Sequence, residues 1–365
     1  MSVAKEPAFK HGQVPQTGIL LVNLGTPQSP TPAALRRYLG QFLSDTRVVE
    51  IPPLVWKVIL HGIILRVRPA KSAAKYASIW MKEGSPLRVW TERQTTLLQG
   101  FMGEQGHRVL VRHAMRYGQP SIGSQLSALK AEGATRILVV PLYPQYSGAT
   151  TASVMDEVFT WGRQTRTLPE LRHINRFHDD PGYLEALAES VRTHWATHGR
   201  AGKLLMSFHG MPERTLHLGD PYHCECLKTG RLLAERLGLS ASDYVVTFQS
   251  RFGKAKWLQP YTEPTLRELG KAGVGRVDVI CPGFVADCIE TLEEIAMEGK
   301  DAFLSSGGKE FNYIPCLNDR LGWIQALSQL VAKHLQGWPT MASQQADLAQ
   351  LQRQSERARA AGAVN

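Results

Sequence analysis

The feature that most constrains this chain is a pattern that runs through it twice. Short β-branched or leucine-rich runs end in glycine, proline or polar residues, and each is followed by helical spacing. The first four are Ile19–Leu24, Arg108–Ala114, Arg136–Pro141 and Leu171–Arg176; the next four are Lys203–Phe208, Tyr244–Gln249, Arg276–Cys281 and Glu310–Ile314. Strands that alternate with helices build parallel βαβ units, with helices on both faces of the sheet. Three stretches of the first half also reappear, in order, in the second. Leu20–Pro27 is matched by Leu204–Pro212 with one residue inserted, Arg116-Tyr117-Gly118 by Arg251-Phe252-Gly253, and Gly182–Leu187 by Gly322–Leu327. The shared order argues for two similar α/β domains, each with four strands.

The copies differ in one place. Leu20 to Arg116 spans 96 positions, whereas Leu204 to Arg251 spans 47, so the first half carries about 49 additional residues around Leu54–Arg93. An insertion after the first strand of an open α/β sheet lies where such sheets bind ligands, and it predicts a lip over a cleft. The expected organisation is a first domain over 1–177 with its lip at about 50–95, and a second domain over 178–319. A C-terminal helix within 320–340 is expected to pack back on the first domain, followed by a tail over 341–365 that is either a frayed helix or disordered.

A length of 365 residues suits two domains, and 43% hydrophobic with 20% charged residues suits a soluble globular protein. The net charge of +10 favours anionic partners. Nucleic acid is not expected among them, because zinc-finger spacing, an RNP-like motif and a long basic run are all lacking. Five scattered cysteines and a polar stretch from Met1 to Thr17 predict a reducing, cytoplasmic setting. The longest apolar run, Leu54–Val67, is broken by Lys57, His61, Gly62 and Arg66. It is shorter than the roughly 20 residues that cross a bilayer, so peripheral contact with a membrane surface is the most it predicts.

Several groups are candidates for chemistry. In Ser207-Phe208-His209-Gly210-Met211-Pro212 a strand ends at His209, and Gly and Pro then turn the chain, so the imidazole is expected to point into the cleft. There it could accept a proton or bind a metal; a cap or core histidine is the plainer alternative. Asp287, Glu290 and Glu294 are spaced by three and four residues and are expected on one helix face. Such a face is either solvated or a site for a hard cation, and a nearby imidazole would suit Fe2+. The insertion holds Arg66, Arg68, Lys71, Lys75, Tyr76, Trp80, Lys82, Arg88 and Trp90, a set able to hold the carboxylates of a flat apolar ligand or to form a solvated basic face. Tyr143-Pro144-Gln145-Tyr146-Ser147 closes the third strand, as a cleft wall or as a turn. Cys224 and Cys226 could take part in a zinc or iron–sulfur site, but the remaining cysteines do not complete a ligand set.

Over roughly Gly18–Leu335 the sequence resembles ferrochelatase. The resemblance is carried by Leu21-Val22-Asn23-Leu24-Gly25-Thr26-Pro27, Gly84-Ser85-Pro86-Leu87, Tyr143–Ser147, Ser207–Pro212 and Glu290-Thr291-Leu292-Glu293-Glu294. It implies two similar Rossmann-like domains, each a four-stranded parallel sheet flanked by helices, with a porphyrin in the cleft between them. The implied reaction inserts Fe2+, a substrate, into protoporphyrin IX to give protohaem and releases two protons. His209 would be the active-site histidine and Glu290 the carboxylate facing it, both catalytic and metal-directed. Glu294 and Asp287 would continue an acidic path for the metal. Arg68 and Lys71 would meet the porphyrin carboxylates, and Arg116, Tyr117, Tyr146 and Ser147 would line the cleft.

Two departures stand out: Cys288 takes the place where eukaryotic relatives carry a second histidine, and the cysteine-rich C-terminal extension of animal enzymes is missing. No resident cofactor and no iron–sulfur cluster are therefore expected. The protein is expected to be a monomer with porphyrin and ferrous iron as its partners. The alternatives are a coproporphyrin III ferrochelatase, a cobalt or nickel tetrapyrrole chelatase, and a porphyrin or haem carrier without turnover.

Overall fold

The structure is a computed structural model that describes residues 6, 9–251, 253, 255–341 and 348–364. Strands β1 (Gln16–Gly25), β2 (Val109–Tyr117), β3 (Ala134–Pro141) and β4 (Glu170–His173) form one sheet in the order β2-β1-β3-β4. Strands β5 (Lys203–His209), β6 (Tyr244–Gln249), β7 (Arg276–Ile280) and β8 (Glu310–Tyr313) repeat that order as β6-β5-β7-β8. Every neighbouring pair is parallel. Each of the eight runs read from the sequence is a strand at its expected place.

The central strands β1, β3, β5 and β7 are largely apolar on both faces because both faces are covered, as parallel sheets require. Along β1, Ile19 and Leu21 join a core that also contains Phe208, Ile280 and Trp323 of the second half. Leu20 and Val22, on the opposite face, pack into a cluster of the first half alone. The two sheets thus share a central core, and each has an outer one. Helix α12 (Leu321–His334) closes the central core: the Trp323 ring stacks on Phe177 at 5.9 Å and meets Tyr183 edge-on at 6.0 Å.

The internal repeat holds at the strand ends, where a glycine in each half approaches the neighbouring strand. A Cβ on Gly25 would lie 1.8 Å from the Tyr117 carbonyl oxygen, and one on Gly210 would lie 2.5 Å from that of Gln249. One sequence match does not survive. Arg116 lies within β2, whereas Arg251 comes two residues after the end of β6. The register makes Gln249, opposite His209, the closer counterpart of Arg116, and Phe252 lies outside the described residues.

The additional residues of the first half form helices α1 (Pro32–Leu43), α2 (Pro53–Ile59) and α3 (Leu65–Ile79), with a π-helical turn at Leu60–Ile64 between the last two. Thr31 caps α1 by accepting from the Ala34 N–H, with proline at the first position. Pro69 inside α3 leaves the Leu65 carbonyl without its helical donor, and Arg36 of α1 fills the gap with its Nε at 2.9 Å. Arg88, Trp90 and Arg93, expected at the end of the insertion, belong instead to α4 (Pro86–Glu104). That helix packs on β1, β2 and α12, so it is the ordinary crossover helix of the first unit.

Residues 348–360 of the tail are helical, with Leu351 and Ser355 buried. Ser355 approaches Gly12 near the N-terminus, and this packing organises a segment whose composition is consistent with disorder. Residues 342–347 of that tail lie outside the described residues.

Candidate active site

The second half gathers its chemistry at the carboxyl ends of its strands, where open parallel sheets leave a crevice. His209 is the last residue of β5 and is half-buried. Its Nδ1 lies 2.6 Å from the Gly210 carbonyl oxygen. A carbonyl can only accept, so Nδ1 is the donor in this contact. After β7 the chain passes through Cys281–Cys288 into a π-helical segment, Glu290–Gly299. Glu294 lies in this segment, and both His209 and Glu290 are close enough for their charges to act on it. Burial pushes the Glu294 carboxyl above the usual range, opposed by hydrogen bonds from Ser250 and by the charge on His209.

Beside this segment the first half presents an apolar aromatic cluster. Tyr38, Tyr76 and Tyr117 are buried in one cluster, with Leu24, Phe42, Trp80 and also Ile289 of the second half packed against it. Burial raises the Tyr76 and Tyr38 hydroxyls well above the usual range, and the charge on Glu290 adds to the rise in both. Glu290 therefore sits where the two halves face one another. Lys75 of α3 ties the lip to the π-helical segment through Glu293 at 2.9 Å and Glu298 at 2.8 Å.

His209, Glu290 and Glu294 are brought together; Asp287 is not. The Asp287 carboxylate is buried and accepts from Tyr313 Oη at 2.5 Å, Asn318 Nδ2 at 2.6 Å and Thr291 Oγ1 at 2.9 Å. The helix begins only after Cys288, so the three-and-four spacing does not carry Asp287 onto the face of the two glutamates. Among the described residues no group of three His, Cys, Asp or Glu side chains is arranged to hold a metal ion. Cys224 is exposed and Cys226 buried on α9 (Tyr222–Arg236), two positions apart and so on different sides of the helix.

The other expected cleft residues divide. Arg68 and Lys71 are exposed on α3. Arg116 and Tyr117 are committed to Asp45, donating at 2.7 Å each, and Ser153 Oγ adds a third bond to the same carboxylate at 2.6 Å. This cluster roots the lip, since Asp45 follows α1 directly. Ser147 is fully buried and donates to Asp220 at 3.0 Å, while the Tyr146 N–H donates to Glu225 at 2.8 Å. Arg176 lies over the Tyr146 ring, 5.4 Å from its centroid. The Tyr146–Ser147 loop is thus a seam between the halves. The sequence reading passed over Gln249 and Ser250, although the end of the strand Tyr244–Gln249 was the signal that would have found them.

A profile of the ferrochelatase family matches residues 16–335. A relative named ferrochelatase from Polaromonas sp. strain JS666 is 64% identical over 367 residues, covering all of both chains. Another of that name, from Methylibium petroleiphilum, is 65% identical over 363 residues, covering all of this chain and 99% of its own. Among solved structures, SirB from Bacillus subtilis with Fe3+ superposes with a TM-score of 0.52 at 13% identity, over 87% of this chain and 95% of that one. At that identity the likeness shows a shared fold.

Proposed function

The chain belongs to the ferrochelatase family and is a metallochelatase, a lyase that inserts iron into a porphyrin in haem synthesis; on that premise we propose how the two walls of its crevice divide the work. The macrocycle lies with one face toward the apolar wall of Leu24, Phe42, Tyr76 and Trp80, which binds a flat aromatic ring by burial. The other face meets His209, with Glu290 and Glu294 beyond it.

Insertion exchanges two pyrrole N–H protons for one Fe2+, so the products are the metallated ring and two protons. His209 takes a pyrrole proton at Nε2, because the Gly210 carbonyl already engages Nδ1. The imidazolium that forms is balanced by the carboxylates beside it. Glu290 guides the metal and is the second proton acceptor, and Glu294 passes the ion to it. A metal bound for the macrocycle must leave its protein ligands, so an open file of oxygen donors serves better than a closed cage. The observation that carries this reading is the grouping of His209, Glu290 and Glu294 beside the aromatic cluster of the first half.

The substrate is protoporphyrin IX and the metal is ferrous. Arg68 and Lys71 on the exposed side of α3 receive the propionates, and the enzyme works as a monomer with no resident cofactor or iron–sulfur cluster. Leu54, Val55, Val58, Ile63 and Val67 are exposed along α2, the π-helical turn and α3, beside Lys57 and Arg66. Among the described residues no helix is long and apolar enough to cross a membrane. This face supports peripheral contact of a cytoplasmic protein with an anionic bilayer, where an apolar porphyrin resides.

The test is anaerobic incubation with Fe2+ and excess porphyrin, followed by haem absorbance. Many turnovers with protoporphyrin IX, faster than with coproporphyrin III, are expected. A preference for coproporphyrin III would overturn the substrate assignment. Product that stops at one equivalent would indicate a carrier.

A further inference from the structure

β6 ends at Gln249, and both Gln249 and the Ser250 that follows it hydrogen-bond to the π-helical segment. Ser250 adopts a φ of +64°, the left-handed region that favours glycine. Its N–H donates to Glu294 Oε1 at 2.6 Å and its hydroxyl to Oε2 at 2.5 Å. A turn alone would be served by glycine; the hydroxyl is the part that Glu294 uses. The preceding Gln249 is buried, and its amide can face only one way. Its Oε1 accepts from the Ser207 hydroxyl at 2.7 Å and from Cys281 Sγ at 3.7 Å. Its Nε2 therefore donates outward, to the Glu290 carbonyl at 2.7 Å and to Glu294 Oε2 at 3.4 Å. Gln249 also pairs with His209 across the sheet, and its carbonyl accepts from the Gly210 N–H at 2.7 Å.

We infer that Gln249 and Ser250 are positioning residues for metal insertion: they hold the Glu294 carboxylate, and the turn that carries Glu290, in register with His209. One dipeptide contacts the strand that bears the histidine and the helix that bears both carboxylates. Neither residue touches the porphyrin or the metal in this arrangement; each acts through the glutamates. Preset oxygen atoms spare the incoming ion the ordering of its own ligands, which is how a fixed supporting shell aids a metal site. The inference rests on the metal path proposed above.

The experiment compares Ser250→Gly, which keeps the backbone angle and the N–H but loses the hydroxyl, with Gln249→Glu. The latter keeps an acceptor for Ser207 and replaces the outward donor with an oxygen that opposes Glu294. Steady-state kinetics are measured against Fe2+ at saturating protoporphyrin, and porphyrin affinity by quenching of tryptophan fluorescence. Ser250→Gly is expected to raise KM for Fe2+ about tenfold, and Gln249→Glu more, with porphyrin affinity within about twofold of the parent. A thermal melt establishes that each variant is folded, and Ser250→Gly suffices if Gln249→Glu is not. An unchanged KM for Fe2+ in folded Ser250→Gly, or an equal loss of porphyrin affinity, would overturn the inference. Glu294→Gln separates the two levels. If it raises KM for Fe2+ while Ser250→Gly does not, the positioning role alone fails; if Glu294→Gln is itself silent, the metal path fails.

Discussion

Lys75 on the lip and Glu293 on the π-helical segment stand 2.9 Å apart and join one half of the molecule to the acidic helix of the other. The Glu293 side chain is 11% exposed and that of Lys75 45%. Burial raises the Glu293 carboxyl, and hydrogen bonding to Lys75 opposes the rise. Lip and acidic helix are therefore tied together, although their chain positions lie more than two hundred residues apart.

Lys75→Met should uncouple them. An ion pair with one exposed partner contributes no more than about 1 kcal/mol, so Tm should fall by only about 2–4 °C. The clearer effect is expected in turnover, where a lip no longer tied to the acidic helix should raise KM for porphyrin. Unchanged KM in a folded variant would show that the contact is only decorative.

Asp45 makes the lip root sensitive to acid. Burial alone would raise its carboxyl, but hydrogen bonds from Ser153 and Tyr117 and the charge on Arg116 hold it below its ordinary value of 3.8. A folded value below the unfolded one contributes stability that is present above the unfolded value and lost as pH falls through the folded one. Melting curves from pH 5 downward should therefore fall more steeply for the parent than for Asp45→Asn. Parallel curves would remove Asp45 from the account.

The apolar lip face makes a separate prediction. Leu54 is 83% and Val58 74% exposed, so neither side chain is held by the core. Leu54→Asp with Val58→Asp should leave Tm within about 1 °C, as for surface changes generally. Sedimentation with anionic vesicles should fall sharply. Retained vesicle binding would locate the membrane contact elsewhere.

The fold was legible because the central strands β1, β3, β5 and β7 are buried on both faces. Runs such as Ile19–Val22 carry no polar interruption, and the glycines at 25 and 210 mark the strand ends where the halves repeat. His209 was legible for the same reason. The acidic helix was half legible: Glu290 and Glu294 share a face, but spacing could not show that Asp287 precedes the helix and is claimed by Tyr313 and Asn318. Nor could composition show that Arg116 is spent on Asp45. Partners distant in sequence decide such cases. The duplicated scaffold adds one more point: near the end of β1, Leu24 stands where β5 offers His209, so one copy places an apolar side chain where the other places an imidazole.

The most direct test of that division is anaerobic haem formation from Fe2+ and excess protoporphyrin IX by the parent, His209→Ala and Glu290→Ala, with tryptophan quenching to follow porphyrin binding. The expected result is loss of at least about a hundredfold in kcat for both variants, the scale of a lost general base, with porphyrin still bound. Full activity in His209→Ala would contradict the account and move the proton acceptor to another wall of the crevice.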